Sequence, residues 1–523
     1  MRRQNRKEDG VRTEEKTAVK NSVGRLAFVA VSVLLQLGWI LFLILRLNRY
    51  SAWISLISSV IALTAVILLY GKPTNAAFKM PWIIIILAFP VLGLSLYLLV
   101  GRKEATTGMQ RRFSEIDREL AGQLWQDPAV MERLSADSRA LANQSEYIWK
   151  WGKYPVWQNT DVEFFAEASE GFAAQKEALK KAEHFIFMEY HAIEDGQAFG
   201  ELKEILEQKA ARGVEVRLFY DDIGSIGFIN TDFIRRMEEA GIQCRVFNRL
   251  IPVLNVFMNN RDHRKITVID GQVGFTGGYN LANEYFNITH PYGQWKDTGV
   301  RLQGDAVRSL TVMFLEMWNA IKKTDTDYGR YLPTVAWKAS ESGFVQPYAD
   351  SPLDGENVGE SVYMNVVKNA ERYVWFTTPY LIISDEMSRE LCLAAKRGVD
   401  VRIITPGIPD KKLVYRVTRS YYDQLVRCGV RIFEYTPGFL HAKQCVSDDK
   451  TATVGTINLD YRSLYFHFEN GVLLQRCRAV GDMRRDFENT FPVCREVTEK
   501  YQAKRSFGAR VGSSVLRLIA PLL

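Results

Sequence analysis

HRKITVIDGQVGFTGGYN, from His263 to Asn280, returns later in the chain as HAKQCVSDDKTATVGTIN, from His441 to Asn458. In both copies a Lys follows the His by two positions (Lys265, Lys443), an Asp stands five further on (Asp270, Asp448), and an Asn closes the stretch (Asn280, Asn458). The whole chain holds only six histidines, so a pattern of this length shared by two of them is no accident of composition. Each copy reads as strand, tight turn, strand. In the first, Lys265, Thr267 and Ile269 alternate with Ile266 and Val268, Asp270-Gly271 is a two-residue hairpin signal, and Val273 and Phe275 begin the return strand. His and Lys two apart on a strand point to one face. The closing Gly277-Gly278, or Gly455-Thr456, lets the backbone approach a ligand closely.

Two imidazoles, two ammonium groups and two amides converging on one point suit a phosphodiester. One neutral His attacks phosphorus, the other protonates the leaving oxygen, and Lys and Asn stabilise the developing charge. Neither a metal ion nor an organic cofactor is expected, since the lysines supply the positive charge and no cluster of acids or of His and Cys at ligand spacing accompanies the motif.

His-x-Lys-x4-Asp carried twice resembles the signature of the phospholipase D superfamily, and the resemblance runs from about residue 150 to the end. It implies that His263 is the nucleophile, forming a phosphohistidine, and that His441 is the acid and then the base. Lys265, Lys443, Asp270 and Asp448 complete the catalytic signature, although the turn positions of the two aspartates suit hairpin and domain-contact work better than proton transfer. Asn280, Asn458 and Thr456 are expected on the substrate phosphate. Gly278 stands where Thr456 does and has no hydroxyl, so the halves are not equivalent. A catalytic His needs an acceptor behind its second nitrogen. In the family an acid downstream of each motif supplies it, which gives Glu469, in YFHFENG, to His441 and Asp297, in QWKDTGV, to His263. Glu284, in NLANEY, also matches the cardiolipin synthase pattern.

At 523 residues the chain exceeds one core, and roughly two to four units are expected. Its net charge of +7 and pI near 8.9 suit an anionic partner. Cysteines 244, 392, 428, 445, 477 and 494 show no regular spacing and read as buried thiols rather than a disulfide framework or zinc site. Residues 1–25 form a basic polar lead. Residues 26–100 hold three apolar segments, Leu26 to Leu45, Ala52 to Tyr70 and Trp82 to Val100, each long enough to cross a hydrocarbon core as a helix. Pro90 and Gly93 in the third are tolerated in membrane helices. Its Pro-x-x-Gly and closing Tyr-x-x-x-Gly-Arg resemble the anchor that precedes the catalytic part of bacterial cardiolipin synthases. Residues 101–155 read as a helical connector.

An internal duplication follows: AEHFIFMEYHAIEDG (182–196) parallels AERYVWFTTPYLIISDE (370–386), ARGVEVRLFYD (211–221) parallels KRGVDVRIITPG (396–407), and GIQCRVFN (241–248) parallels GVRIFEYT (429–436). Strands separated by helical runs predict an α/β fold of two phospholipase D-like repeats, 156–330 and 345–500, sharing one active site behind N-terminal transmembrane helices. The apolar loop from Leu250 to Met258 is either simple packing or a lip toward lipid. Residues 501–523 predict a basic amphipathic helix, with Phe507, Val511, Val515, Leu518 and Leu522 on one face, that either caps the core or lies in a membrane surface.

The resemblance implies a multi-pass enzyme of a bacterial cell membrane that acts on phosphatidylglycerol and contacts anionic lipid, with no nucleic acid involved. The expected reaction is phosphatidyl transfer between two phosphatidylglycerol molecules, giving cardiolipin and glycerol. The alternatives within the superfamily are a hydrolytic phospholipase and a phosphatidylserine synthase-like transferase.

Overall fold

The structure, a computed structural model, describes residues 27–42 except 29, 33 and 40, and residues 52–72, 74–98, 107–250, 259–503 and 506–522. The basic lead and residues 251–258 of the apolar loop lie outside them.

Each half of the duplication folds as one mixed sheet. The first half supplies β1 (Thr160–Phe165), β2 (Phe185–Tyr190), β3 (Glu215–Asp221), β4 (Gln243–Phe247), β5 (Lys265–Ile269), β6 (Val273–Gly277), β7 (Gln294–Lys296) and β8 (Gly299–Gly304). The second supplies β9 (Phe344–Asp350), β10 (Tyr373–Thr377), β11 (Leu381–Ile382), β12 (Asp400–Pro406), β13 (Arg431–Tyr435), β14 (Gly438–Leu440), β15 (Gln444–Ser447), β16 (Thr451–Gly455), β17 (Leu459–Asp460), β18 (Glu469–Gln475) and β19 (Cys494–Glu496). The sheet orders correspond strand for strand: β1-β8-β6-β5-β2-β3-β4 in one repeat, and β9-β18-β16-β15-β10-β12-β13 with β19 beyond it in the other. Helical crossovers make β2, β3 and β4 parallel, as they do β10, β12 and β13. The motif hairpins run antiparallel to these, so that Lys265 pairs with Tyr190 at the end of β2. Each motif His therefore sits at the carboxyl edge of the parallel strands, where open α/β sheets place their ligands.

The hairpin turns explain the motif aspartates. Asp270 and Asp448 adopt positive φ, 52° and 55°, and each carboxylate gathers three successive backbone N–H groups at the start of the neighbouring strand. Asp270 accepts from Glu183, His184 and Phe185, and Asp448 from Glu371, Arg372 and Tyr373. Both stand at the far end of the motif strand, five residues beyond the Lys and about 16 Å from it at the usual rise. They clamp two strands together, the hairpin work that their turn positions suit.

The repeats meet through the segments that carry the site. Short strands β7 and β14 pair in parallel across the interface, Phe439 opposite Trp295, and Asn470 donates to Thr276 Oγ1 at 2.8 Å. The connector helices strap both halves: Tyr154 donates to Glu316 of the first, while Gln346 of the second donates to the carbonyls of Ser145 and Tyr154.

The N-terminal region departs from expectation in one respect. Described residues between 27 and 42 are helical, and Ala52–Tyr70 is a helix of 19 residues. Among the described residues no helix is long and apolar enough to cross a membrane. The third apolar segment is not one helix: Ala76–Ala88 ends at Phe89, and Pro90–Leu96 folds back against it. Pro90 has no N–H with which to continue the first helix and opens the second instead. A Cβ at Gly93 would lie 2.5 Å from the Ile85 carbonyl, so only glycine lets the two limbs touch. Trp82 meets Tyr97 edge to face across this hairpin. Phe78, at its base, packs among Tyr461, Tyr465 and Phe466.

The C-terminal helix, Phe507–Ile519, docks on the helices Lys412–Arg427 and Ala76–Ala88, with the Arg517 guanidinium over the Tyr421 ring. Leu516 packs on the core. Phe507, Val511, Val515 and Leu518 stay exposed, so this face does not cap the core.

Candidate active site

His263 is positioned by what lies on either side of it. Asp221, at the end of β3, binds the Arg261 side chain at 2.7 Å and accepts from the Asp262 N–H, which fixes the approach to β5. The His263 N–H then donates to the Phe468 carbonyl at 2.9 Å. The second motif mirrors this, with the His441 N–H on the Lys296 carbonyl at 2.8 Å. Each motif thus leans on the opposite repeat, on the residue immediately before an acid of that repeat, Glu469 or Asp297.

That arrangement reverses the pairing expected from sequence. His263 Nδ1 lies 2.9 Å from both oxygens of Glu469, and His441 Nδ1 lies 2.6 Å from Asp297 Oδ2. The carboxylates cross over because β7 and β18 carry them to the interface rather than back to their own motif. A carboxylate acceptor keeps the proton on Nδ1 and leaves Nε2 with its lone pair.

Thr456 is also reassigned. Its hydroxyl donates to Glu469 Oε2 and accepts from the Asn470 N–H at 2.9 Å, so it braces the carboxylate and is not offered to a phosphate. Gly278 in the other half does the equivalent by absence: a Cβ there would fall 2.0 Å from Asp297 Oδ1. Asn280 accepts from the Ala192 N–H and donates to Tyr285 OH at 2.7 Å. The Asn458 amide keeps its buried carbonyl oxygen without a partner.

Lys265 Nζ donates to the His263 carbonyl at 2.6 Å, and Lys443 Nζ to the His441 carbonyl. Lys443 Nζ also lies 2.7 Å from His441 Nδ1. Nδ1 cannot both accept there and donate to Asp297; the Asp297 carboxylate takes the bond, because it stays ionised. Burial raises the Asp297 carboxyl, but His441 and Lys443 outweigh this and hold it below its usual range. Burial, reinforced by Lys265 and Lys443, keeps the His263 imidazole well below its ordinary value and so neutral. Burial and Lys443 bring His441 down to about 4 against the pull of Asp297. Burial lowers Lys265 to about 8 and Lys443 to about 7, with Glu469 and Asp297 the leading opposing charges.

Sequence reasoning missed the walls of the site. His441 stands within 5.3 Å of the ring centres of Tyr285 and Trp295, with Phe439 just beyond. His263 stands between His191, at 4.9 Å, and His467, at 5.6 Å. The scarcity of histidine was the available signal, because four of the six gather here. His191 Nδ1 is taken by the Asp262 carbonyl at 2.7 Å. His263, His467 and Glu469 form the one group of three His, Cys, Asp or Glu side chains among the described residues whose ligand atoms are close enough to hold a metal ion.

A duplicated α/β sheet that brings two carboxylate-backed histidines and two lysines to one face defines a phosphodiester-transferring site of the phospholipase D type. The family described as "Cardiolipin synthase, PLD-like domain" matches residues 176–318 and 363–491, and "Phospholipase_D-nuclease N-terminal" matches 57–102. The chain belongs to the cardiolipin synthase family. A cardiolipin synthase of Halalkalibacterium halodurans is 30% identical over 97% of this chain and 100% of its own. An uncharacterized protein of Streptococcus mutans is 40% identical over 88% of this chain and 99% of its own. The crystal structure of phosphatidylserine synthase from Haemophilus influenzae shares the fold, with a TM-score of 0.55 at 12% identity over 73% of this chain and 99% of that one.

Proposed function

We propose that this chain transfers a phosphatidyl group from one phosphatidylglycerol to the hydroxyl of another, with His263 as nucleophile and His441 as acid and base. The carrying observation is the pair of imidazoles, each tied at Nδ1 to a buried carboxylate. In the first step His263 Nε2 bonds to phosphorus, the bond to the glycerol oxygen breaks, and His441 gives that oxygen its proton. In the second, the hydroxyl of the other phosphatidylglycerol loses its proton to His441 as its oxygen attacks phosphorus and the P–N bond breaks. The products are glycerol and cardiolipin. The division of roles is the one the family resemblance implies: burial and the two lysines keep His263 neutral, as a nucleophile must be, while Asp297 stabilises an imidazolium at His441. An arriving phosphate anion favours that imidazolium and keeps Lys265 and Lys443 charged. These lysines, with the amides of Asn458 and Asn280, hold the phosphate.

The enzyme works at a bacterial cell membrane as a multi-pass protein facing anionic lipid. The apolar side chains of Ala52–Tyr70 and of the folded-back hairpin, among them Leu63, Ile67, Ile84 and Leu87, are exposed, and apolar surface of that extent calls for lipid. The reaction needs no added cofactor, and turnover survives a chelator.

Lipid analysis after purified enzyme meets phosphatidylglycerol vesicles tests the reading. Cardiolipin and glycerol are the expected main products, and excess glycerol drives the reaction backwards because one phosphodiester is exchanged for another. Phosphatidic acid as main product would replace this reading with a hydrolytic phospholipase.

A further inference from the structure

His467 has no task in the transfer just described. Its side chain is only 12% exposed, yet neither ring nitrogen has a hydrogen-bond partner. Buried polar groups are normally paired, so an imidazole left unpaired beside the reacting His points to a ligand. Its neighbours say which. His467 Nδ1 is 3.7 Å from Glu469 Oε1, too long for a hydrogen bond, and His263 Nδ1 is 2.9 Å from the same oxygen. All three ligand atoms lie within 4.8 Å of one another. Tetrahedral zinc, with bonds of about 2.0–2.1 Å, sets its ligand atoms about 3.3 Å apart. The triad closes on such an ion with small side-chain shifts, and two imidazoles and one carboxylate are donors that zinc prefers.

We propose that His263, His467 and Glu469 form an inhibitory site for Zn²⁺. The proposal rests on the reading of His263 Nε2 as the nucleophile. A metal at Nδ1 needs the lone pair there, so the Nδ1 proton must leave. A neutral ring then carries its proton on Nε2, the atom that has to attack phosphorus. The ion also takes Glu469 from its place as the acceptor that sets the tautomer. Zinc thus stops the enzyme by inverting one imidazole, without closing any lid, and removing it restores the reacting form. His191 takes no part, because its Nδ1 is already committed to the Asp262 carbonyl.

The test uses the full chain with phosphatidylglycerol vesicles and buffered free Zn²⁺. The parent loses turnover as zinc rises and regains it with chelator. His467→Asn and His467→Gln retain turnover without zinc, and their zinc sensitivity weakens by at least the roughly 10- to 100-fold that loss of a supporting partner costs a metal site. Co²⁺ offers a readout that needs no turnover: the parent gives the visible absorption of four-coordinate cobalt, and the His467 variants do not. Equal inhibition of parent and variants, or a parent colourless with Co²⁺, overturns the site. A parent inactive toward phosphatidylglycerol yet coloured by Co²⁺ keeps the site and removes the transferase reading instead.

Discussion

Lys265 and Lys443 are buried with their charges where a phosphate must come to rest, and that placement has a cost. In the unfolded chain a lysine titrates near 10.5, and in the fold Lys443 does so at about 7. Between these values the unfolded state binds a proton that the folded state lacks, so stability rises with pH there, and below pH 7 the charged ammonium opposes folding. Lys443→Met is therefore expected to abolish transfer while raising Tm, by ~1 °C for each kcal/mol relieved in a chain of this length; a lower Tm would contradict the assignment. For the parent, KM for phosphatidylglycerol should climb as pH passes through 7 and 8 and the lysines lose charge, and a KM flat across that range would show that they do not hold the phosphate. The crossed carboxylates give a second expectation. Asp297→Asn should slow His441's proton transfers, and with them both steps, by about 10²–10⁴-fold, whereas Glu469→Gln should act on His263 and slow its attack on phosphorus. Quench and mass analysis locates the phosphohistidine, and its appearance on His441 would exchange the roles of the histidines.

At the scale of elements, the motif aspartates and glycines build the frame. Asp448→Ala strands three N–H groups, the Tyr373 group among them buried, and is expected to cost on the order of 1–3 kcal/mol of stability with kcat of the folded fraction nearly unchanged. A large loss of kcat at full stability would return Asp448 to the chemistry. Gly278→Ala should do the reverse, displacing Asp297 and cutting kcat while the hairpin survives, as circular dichroism and turnover measured together would show. Hairpins, parallel strands and repeats were legible in the sequence because they rest on short-range patterns: alternation, Asp-Gly, and helix between strands. The partner of each His was not. Glu469 follows the second motif and Asp297 the first, and nothing local reveals that β7 and β18 deliver them across the interface. The fold-back at Phe89 was half legible. Pro90 and Gly93 were visible as helix breakers, but a tolerated kink and a full reversal differ only in whether Gly93 meets Ile85, a contact between limbs.

Across the whole molecule, the apolar N-terminal unit is fastened to the catalytic half. Asn75 donates to Tyr465 OH at 3.0 Å, and Phe78 sits in its aromatic cage on the helix Tyr461–Tyr465, which follows Asn458 almost directly. On the proposed transfer reading a phosphohistidine is spared from water only while a lipid hydroxyl is held close and solvent is kept out, and this joint fixes the apolar unit beside the site. Phe78→Ala should raise the share of phosphatidic acid among the products while His263 is still phosphorylated. An unchanged product ratio would mean that the joint is structural only.

The exchange of carboxylates between the repeats makes the two chemical steps fail together. Glu469 reaches His263 and Asp297 reaches His441 only while the halves are seated on each other. A slight parting releases both imidazoles in one movement. Parting of the halves therefore takes the acceptor from both histidines together. The duplication acts as an interlock, and an enzyme strained or half unfolded falls silent instead of spilling its intermediate into water.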